Sequence, residues 1–382
     1  MSVTAARGFE AAGVAAGLRS GSGPDLALVV NRGPIFSAAA VFTSNRALAN
    51  PVIWSKTAVA DGVVRAVVLN AGGANCFTGA EGFQVVHATA EAVGSALDVS
   101  AGDVLVCSTG LIGEPLPLAK VLDGVTRAAK SLGRDGGEAS RAILTTDSRP
   151  KTSSRLRPGY AIGGMAKGAG MLAPGLATML VVITTDAELS AADLDVSLRH
   201  ATRMSFDRLD SDGCMSTNDQ VTLLASGASG TRPHREEFTQ ALTELCLDLA
   251  DQLQADAEGA SHDIRISVTG ARSEGDAVEV GRSVARNNLV KAAIFGNDPN
   301  WGRVLAAIGT TSATFDPYDV DVTMNGVRVC HQGAPDRPRA EVDLSPRKVL
   351  IGIDLRSGQE SATILTNDLT HDYVHENSAY AT

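Results

Sequence analysis

Thr178 lies at the boundary between a glycine-rich segment and a strand-like segment, where a peptide bond could be cut. The residues before it, KGAGMLAPGLA (167–177), are mostly small or turn-forming, whereas TMLVVITTD (178–186) is bulky and β-branched. Small residues can hold a bent or strained peptide at little steric cost. If the hydroxyl of Thr178 attacks the carbonyl of Ala177, an N-to-O acyl shift makes an ester, and hydrolysis of that ester frees the amino group of Thr178.

The freed threonine would carry a nucleophile and a base on one residue. An α-amino group has an ordinary pKa of roughly 7.7 to 8, so it can accept the proton of its own hydroxyl near neutral pH. This chemistry suits acyl transfer or amide hydrolysis. On the residues alone, a threonine that simply begins a core strand is the more common interpretation of the pattern.

The same glycines also fit a nucleotide-binding fingerprint. Gly168 to Ala173 satisfies GxGxxG/A, but that fingerprint requires a helix at its end, where free N–H groups meet the phosphates. Pro174 and a strand-like segment follow instead, and the GK[ST] ending of a P-loop does not occur. The sequence therefore disfavours nucleotide binding.

Other catalytic motifs are missing from the sequence. GxSxG and HExxH do not occur, and among the seven histidines only His371 and His375 have a spacing that could suit a metal. We interpret this pair as solvated, in a segment that does not demand a helix. We expect neither a metal nor a cofactor. Five scattered cysteines without a CxxC pair favour reduced thiols in a cytoplasmic protein.

The glycine-rich segment resembles the self-cleaving region of a known family. GGMAKGAGMLAPGLATMLVVITTDA (163–187) is similar to that of the arginine-biosynthetic ornithine acetyltransferases (glutamate N-acetyltransferases), in which the threonine of ATML is the N-terminal nucleophile. Further blocks resemble the family in the family's order along essentially the whole chain: VCSTGLIGEPLP, AILTTDSRPK, DRLDSDGCMSTNDQV, DAEGASHDIRISVTGA, FGNDPNWGRVLAAIG and DLTHDYVHENSAYAT.

The resemblance implies a role for individual residues. Cleavage between Ala177 and Thr178 would give an alpha fragment, 1–177, and a beta fragment, 178–382, that stay interlocked, and two such pairs would form a heterotetramer. Thr109 and Gly110 would form the oxyanion hole, one through its hydroxyl and one through its backbone N–H. The implied substrate contacts are Thr146, Lys167, Thr178, Glu258, Asn377 and Thr382.

The implied reaction is ping-pong transfer of an acetyl group from N-acetylornithine to glutamate, through an acetyl-threonine enzyme. Lys167 suits a carboxylate of these substrates and Glu258 suits an ammonium. Two alternatives stay open: a threonine-nucleophile amidohydrolase or aminopeptidase that uses water, and a bifunctional enzyme that also accepts acetyl-coenzyme A. A non-enzymatic amino-acid-binding protein is disfavoured because Ala177, Thr178 and the STG sequence are intact.

Two stretches differ from the family pattern without touching an assigned position. NAGGANCFTG departs from the usual asparagine- and serine-containing version, and DGCMSTND carries Cys214 and Met215 where other members vary. We interpret Cys214 as a buried small residue rather than a nucleophile.

Strands and helices must position these residues. Runs rich in β-branched residues predict strands at DLALVV, SAAAVFT, RAVVLN, DVLVCSTG, TMLVVITTD, DQVTLLAS, DIRISVTG and KVLIGIDL. Helical spacing of apolar residues predicts helices in PLAKVLDGVTRAAKSL and REEFTQALTELCLDLADQLQADAEG, and Asn325-Gly326 predicts a hairpin. GRDGGEAS and SGASGTRPHREE are expected to be loops.

These elements predict a layered α+β architecture. The family resemblance sharpens this to an α/β/β/α sandwich of the kind found in N-terminal-nucleophile enzymes, with a further α/β lobe. No long linker separates domains, so one interlocked fold and two domains both remain open.

Composition favours a small-molecule task. The chain has 382 residues, and 33 basic against 43 acidic residues give a net charge of −10. No basic field is available to hold nucleic acid or an anionic membrane. The first residues lack the pattern of a signal peptide, and no apolar run approaches the ~20 residues of a membrane span.

Overall fold

The computed structural model describes residues 2–173 and 179–379. Its strands are β1 Phe9–Val14, β2 Leu26–Asn31, β3 Ser37–Phe42, β4 Ala66–Ala71, β5 Val104–Thr109, β6 Lys151–Arg157, β7 Tyr160–Lys167, β8 Leu180–Thr185, β9 Gln220–Ala225, β10 Asp263–Ala271, β11 Asp321–Met324, β12 Val327–His331, β13 Ala334–Pro335, β14 Lys348–Asp354 and β15 Glu360–Asn367. Its helices are α1 Asn50–Ala58, α2 Gly79–Leu97, α3 Leu118–Lys130, α4 Gly137–Ala142, α5 Ala191–Met204, α6 Arg235–Gln254, α7 Glu274–Ala285, α8 Asn288–Phe295, α9 Trp301–Ile308 and α10 His371–Ser378.

Two sheets pack face to face and carry helices on their outer sides. One has the order β1-β2-β4-β5 and the other β3-β9-β8-β7-β6. Because side chains alternate along a strand, the two faces of each sheet contribute side chains to two different cores. In β2, Leu26 and Leu28 pack with α2 and α3, whereas Ala27 and Val29 face the second sheet.

The second sheet repeats this division. In β8, Leu180 and Val182 face the first sheet, whereas Val181 and Ile183 pack with α5 and α6 on the outer side. The layers are therefore α/β/β/α, which confirms the predicted mixed α+β sandwich.

A third sheet, of order β13-β12-β11-β14-β10-β15, forms the further lobe. Its core is built with residues of α7, α8 and α9, including Val280, Ile294 and Val304. The hairpin β11–β12 turns at Asn325 and Gly326, which have φ of 44° and 83°. Both lie in the left-handed region that a tight hairpin turn requires, so the hairpin prediction is confirmed.

The eight predicted strands and the two predicted helices all occur, with ends shifted by a few residues. One expectation was wrong: half of GRDGGEAS belongs to α4, which begins at Gly137. His371 and His375 are both exposed, as the interpretation of a solvated pair expects. They lie in α10, a helix that the sequence pattern did not demand, where the Thr370 side chain accepts a hydrogen bond from the N–H of Tyr373 and caps the helix. None of the described helices combines the length and apolarity that a membrane crossing needs.

Candidate active site

One end of the five-stranded sheet brings three strand ends together. Lys167 closes β7 and pairs with Leu180 at the start of the antiparallel β8. Leu180 in turn pairs with Gln220 at the start of the parallel β9. The residues just before these strand starts, Met179 and Asp219, therefore lie beside each other and near Lys167.

Thr109 and Gly110 reach this end of the sheet from the neighbouring layer. Thr109 closes β5, is buried, and lies with its Oγ1 3.4 Å from Nζ of Lys167. Its carbonyl accepts hydrogen bonds from the N–H groups of Gly72 (2.9 Å) and Gly73 (3.0 Å). Lys167 donates to the Thr109 hydroxyl, and within the described part of the chain the hydroxyl's own proton has no acceptor. That proton can be offered to a substrate oxygen.

Gly110 has a backbone conformation that excludes other residues. Its φ is +127°, and a Cβ at this position would lie 2.6 Å from the backbone N of Gly73. Both facts demand glycine, because L residues rarely adopt this φ and backbone atoms cannot yield to such a contact. The close approach of the 72–73 turn thus fixes the backbone of both predicted oxyanion-hole residues.

Lys167 belongs to a buried network of alternating charge. Its Nζ lies 3.8 Å from Oδ2 of Asp147, and Oδ1 of Asp147 accepts from Lys151 (2.6 Å) and from the N–H of Gly168 (2.6 Å). Lys151 also pairs with Asp256 at 2.5 Å. Burial lowers the pKa of Lys167 and outweighs the opposing effect of Asp147. These ion pairs and hydrogen bonds connect four segments: the loop 145–148, β6, β7 and the loop after α6.

Asp147 provides a test of this network by pH. Burial alone would raise its pKa, but the charges of Lys167 and Lys151 and two hydrogen bonds together lower the pKa to about 2. A carboxyl whose folded pKa is depressed stabilises the fold above its unfolded pKa, and that stability is lost as the pH falls through the folded pKa.

We therefore expect Asp147 to contribute roughly 2 kcal/mol at neutral pH, which is lost between about pH 4 and pH 2. Urea unfolding of the wild type and of Asp147→Asn over this range measures it. The wild-type curve should fall toward that of the variant as the pH drops, and parallel curves would contradict the assignment.

A cavity of about 450 Å³ adjoins the network and contains two of the predicted substrate residues, Thr146 and Glu258. The N–H of Glu258 donates to the carbonyl of Ala169 (3.1 Å), two residues after Lys167. Its Oε2 accepts from Nδ2 of Asn377 (3.0 Å) on α10. Thr146, Lys167, Glu258 and Asn377 are thus brought into one neighbourhood, from four separate parts of the chain.

The cavity is acidic. Asp256, Glu258, Asp372 and Glu376 line it. The pKa of Glu376 is raised by burial and then by the charges of Glu258 and Asp372. Arg347 also lines the cavity, but its guanidinium is committed to Asp263 and to two backbone carbonyls. A ligand with a cationic group suits this lining.

The remaining predicted site residues, Ala177, Thr178 and Thr382, lie outside the described residues, and their roles stay predictions. One sequence interpretation was wrong: Cys214 is exposed rather than buried. Burial of part of its surface and the charge of Asp212 nevertheless raise the pKa of its thiol, which does not favour a nucleophile.

Sequence reasoning missed Asp147, Lys151, Asp219 and Asp256. The first two lie within the block AILTTDSRPK and the third within DRLDSDGCMSTNDQV, yet residue type and spacing gave no sign of their partners. Each is buried or nearly so and has at least one charged neighbour that is distant in the sequence, although Asp147 and Lys151 also pair with each other four residues apart.

Comparison with known proteins identifies the family. Residues 10–382 match the ArgJ family. The arginine biosynthesis bifunctional protein ArgJ of Streptomyces avermitilis is 62% identical over 382 residues, and that of Thermobifida fusca is 60% identical over 383, with 100% of both chains covered in each case. A chain of the crystal structure of ornithine acetyltransferase complexed with ornithine, from Mycobacterium tuberculosis, is 48% identical. That match covers 47% of this chain and 96% of the solved chain, with a TM-score of 0.45. This chain belongs to the ArgJ family.

Proposed function

We propose that this member of the ArgJ family transfers the acetyl group of N2-acetyl-L-ornithine to L-glutamate. Family membership confirms the predicted class, an acyltransferase of arginine biosynthesis. The observation that carries the residue assignment is the meeting of Thr109, Gly110 and Lys167 at the strand end where β8 begins. Thr178 is bonded to Met179, the residue just before β8.

Self-cleavage prepares the enzyme. The Thr178 hydroxyl oxygen attacks the carbonyl carbon of Ala177, the C–N bond breaks, and the nitrogen takes the hydroxyl proton to become an amine. Water then hydrolyses the resulting ester, which leaves a carboxylate on Ala177 and a free hydroxyl and α-amino group on Thr178. The products are fragments 1–177 and 178–382.

Acetyl transfer then follows in two half-reactions. The α-amine of Thr178 takes the hydroxyl proton while the oxygen attacks the acetyl carbonyl of N-acetylornithine. Thr109 and Gly110 stabilise the negative charge on the carbonyl oxygen. The C–N bond breaks, ornithine leaves with the proton, and the acetyl group remains as an ester. The amine of glutamate attacks that ester, the C–O bond breaks, and the proton that the amine loses returns to the Thr178 oxygen as N-acetylglutamate leaves.

The surrounding charges suit these substrates. Lys167 is a buried cation beside the proposed oxyanion hole, so it can meet the carboxylate that both substrates share. The acidic cavity around Glu258 suits the cationic amine of ornithine, with Thr146 in its wall and Asn377 hydrogen-bonded to Glu258. Thr382 completes the proposed set of contacts.

The decisive assay separates transfer from hydrolysis. Purified protein is incubated with N-acetylornithine, with and without glutamate, and acetate and N-acetylglutamate are quantified. We expect N-acetylglutamate to form in step with ornithine when glutamate is present, with little acetate. Acetate release that glutamate does not change would instead indicate a threonine-nucleophile amidohydrolase or aminopeptidase.

A second acetyl donor, acetyl-coenzyme A, is favoured by one observation. The relatives from S. avermitilis and T. fusca are both named bifunctional. The same assay with acetyl-coenzyme A and glutamate tests this activity directly.

We also infer a heterotetramer of two fragment pairs and a cytoplasmic location. The first rests on the resemblance described above. The second is supported by the five cysteines, all of which are free thiols. Mass measurement of the native assembly tests the heterotetramer, and fractionation of cells tests the location.

A further inference from the structure

Asp219 is a buried carboxyl that holds the amide next to the proposed nucleophile. It lies in the loop just before β9 and is fully buried. Its Oδ1 accepts a hydrogen bond from the backbone N–H of Met179 at 3.0 Å. That N–H belongs to the peptide bond between Thr178 and Met179. The carboxyl group of Asp219 therefore hydrogen-bonds the amide that joins Thr178 to Met179.

Main-chain hydrogen bonds hold both partners of this contact, Met179 and Asp219. The carbonyl of Met179 accepts from the N–H of Gln220 (3.2 Å), so both main-chain groups of Met179 are held by the start of β9. The carbonyl of Asp219 accepts from the N–H of Thr43 (3.0 Å), which anchors Asp219 to the end of β3. The Met179 side chain is itself buried. Main-chain hydrogen bonds therefore hold both Asp219 and Met179 in place.

Hydrogen bonds and nearby charge only partly offset the cost of burying the Asp219 carboxyl. Burial raises the pKa of Asp219 well above its ordinary value, although the Met179 N–H, the Ser216 hydroxyl and the charge of Lys167 act in the opposite direction. Ser216 lies near enough to affect the pKa, but Oδ2 has no partner of hydrogen-bond geometry among residues 2–173 and 179–379. Such a group destabilises a fold, so stability does not explain an aspartate here.

We propose that Asp219 is a positioning residue, which holds the Thr178–Met179 amide so that Thr178 keeps one orientation during self-cleavage and acetyl transfer. The inference rests on the proposed function of Thr178. Asp219 forms no bond to the substrate and transfers no proton; it acts through the backbone of Met179. A displacement of about 1 Å at a reacting group can cost a hundredfold in rate.

Three variants and one control test this role. Asp219→Asn keeps an acceptor for the Met179 N–H, whereas Asp219→Ala and the near-isosteric Asp219→Leu remove it. The control is Asp186→Ala. Asp186 is also buried, and its Oδ1 accepts from the backbone N–H of Ala161 at 2.7 Å, but it lies just beyond the opposite end of β8.

The measurements are the rate of fragment formation, kcat, KM for N-acetylornithine and Tm. We expect Asp219→Ala and Asp219→Leu to slow fragment formation and to lower kcat about a hundredfold, with KM little changed. Asp219→Asn should keep both rates within about threefold of the wild type, since the acceptor remains. Asp186→Ala should lower Tm and leave kcat of the cleaved enzyme near that of the wild type.

Each outcome decides the question. Wild-type rates in Asp219→Leu would overturn the proposal, and so would an Asn variant as slow as the Leu variant at equal Tm. If the Ala variant does not fold, the comparison of Leu with Asn gives the same decision. An uncut wild type, or one without acetyl transfer, would refute the proposed function itself, whatever the Asp219 variants do.

Discussion

We expect Thr178→Ala to remain one chain of 39.3 kDa, whereas the wild type separates into fragments 1–177 and 178–382. Without the hydroxyl, no atom of residue 178 can attack the Ala177 carbonyl, and neither half-reaction can begin. Loss of a covalent nucleophile lowers kcat by about 10⁴-fold or more. Denaturing electrophoresis with mass spectrometry measures cleavage, and the transfer assay measures activity.

Thr178→Ser is the matched variant, because it keeps a hydroxyl on the same backbone. It should still be cut, and it should retain measurable transfer. A second control is Thr184→Ala, at a position farther along β8. It removes a buried threonine hydroxyl that donates to the carbonyl of Val3. It should be cut normally. A wild type that stays whole and active would show that the nucleophile assignment is wrong.

The second large effect is expected at the oxyanion hole. Thr109→Val replaces the hydroxyl with a methyl group of similar shape, and removal of one such donor costs about 10²- to 10³-fold in kcat. KM for N-acetylornithine should change little, because the donor acts on charge that develops in the transition state. Steady-state kinetics on cleaved protein give both constants.

Two neighbours of Thr109 serve as comparisons. Ser108→Ala removes the preceding buried hydroxyl, which donates to Oδ1 of Asn70 at 2.6 Å, and it should affect stability more than kcat. Gly110→Ala should lower kcat at least as far as Thr109→Val, because its Cβ would push the 72–73 turn away. Equal kcat in the Val and wild-type proteins would exclude the Thr109 hydroxyl from the oxyanion hole.

Much of the architecture could be predicted because several strands of the two face-to-face sheets carry continuous apolar, β-branched runs. β2, β4, β5 and β8 are buried along their full length, so sequence alone reveals them. The strand β7 is also buried along its full length, but its residue types do not reveal it. It contains Gly163 and Gly164, which weaken a strand pattern.

Tertiary packing explains those two glycines. A Cβ on Gly163 would lie 2.3 Å from the carbonyl oxygen of Ser2, and one on Gly164 would lie 3.1 Å from Leu245 of α6. The N-terminal segment and a helix press against β7 from its two faces. Such a requirement for glycine depends on partners that are distant in the sequence, so periodicity cannot reveal it.

The helix α10 was missed for a similar reason. HDYVHENS has no pronounced apolar face and buries none of its residues. Its Asn377 bonds Glu258, and the N–H of Tyr373 lies so close to Gly259 that a Cβ there would be 2.2 Å away. The helix is positioned by the loop after α6 rather than by its own pattern.

The sequence by itself indicated the class of chemistry, because blocks along the chain resemble one family of acyltransferases, and the family match bears this out. The threonine after the glycine-rich segment and the STG that follows a buried strand stay predicted site residues. They could be predicted because a nucleophile, oxyanion donors and a cleaved bond depend on residue types within short segments. Tertiary structure decided the environment of those groups. The Asp147 network, the acidic cavity around Glu258 and the grip of Asp219 on Met179 join segments up to more than a hundred residues apart. Their partners are set by sheet register and layer packing, which a linear pattern of residue types does not contain.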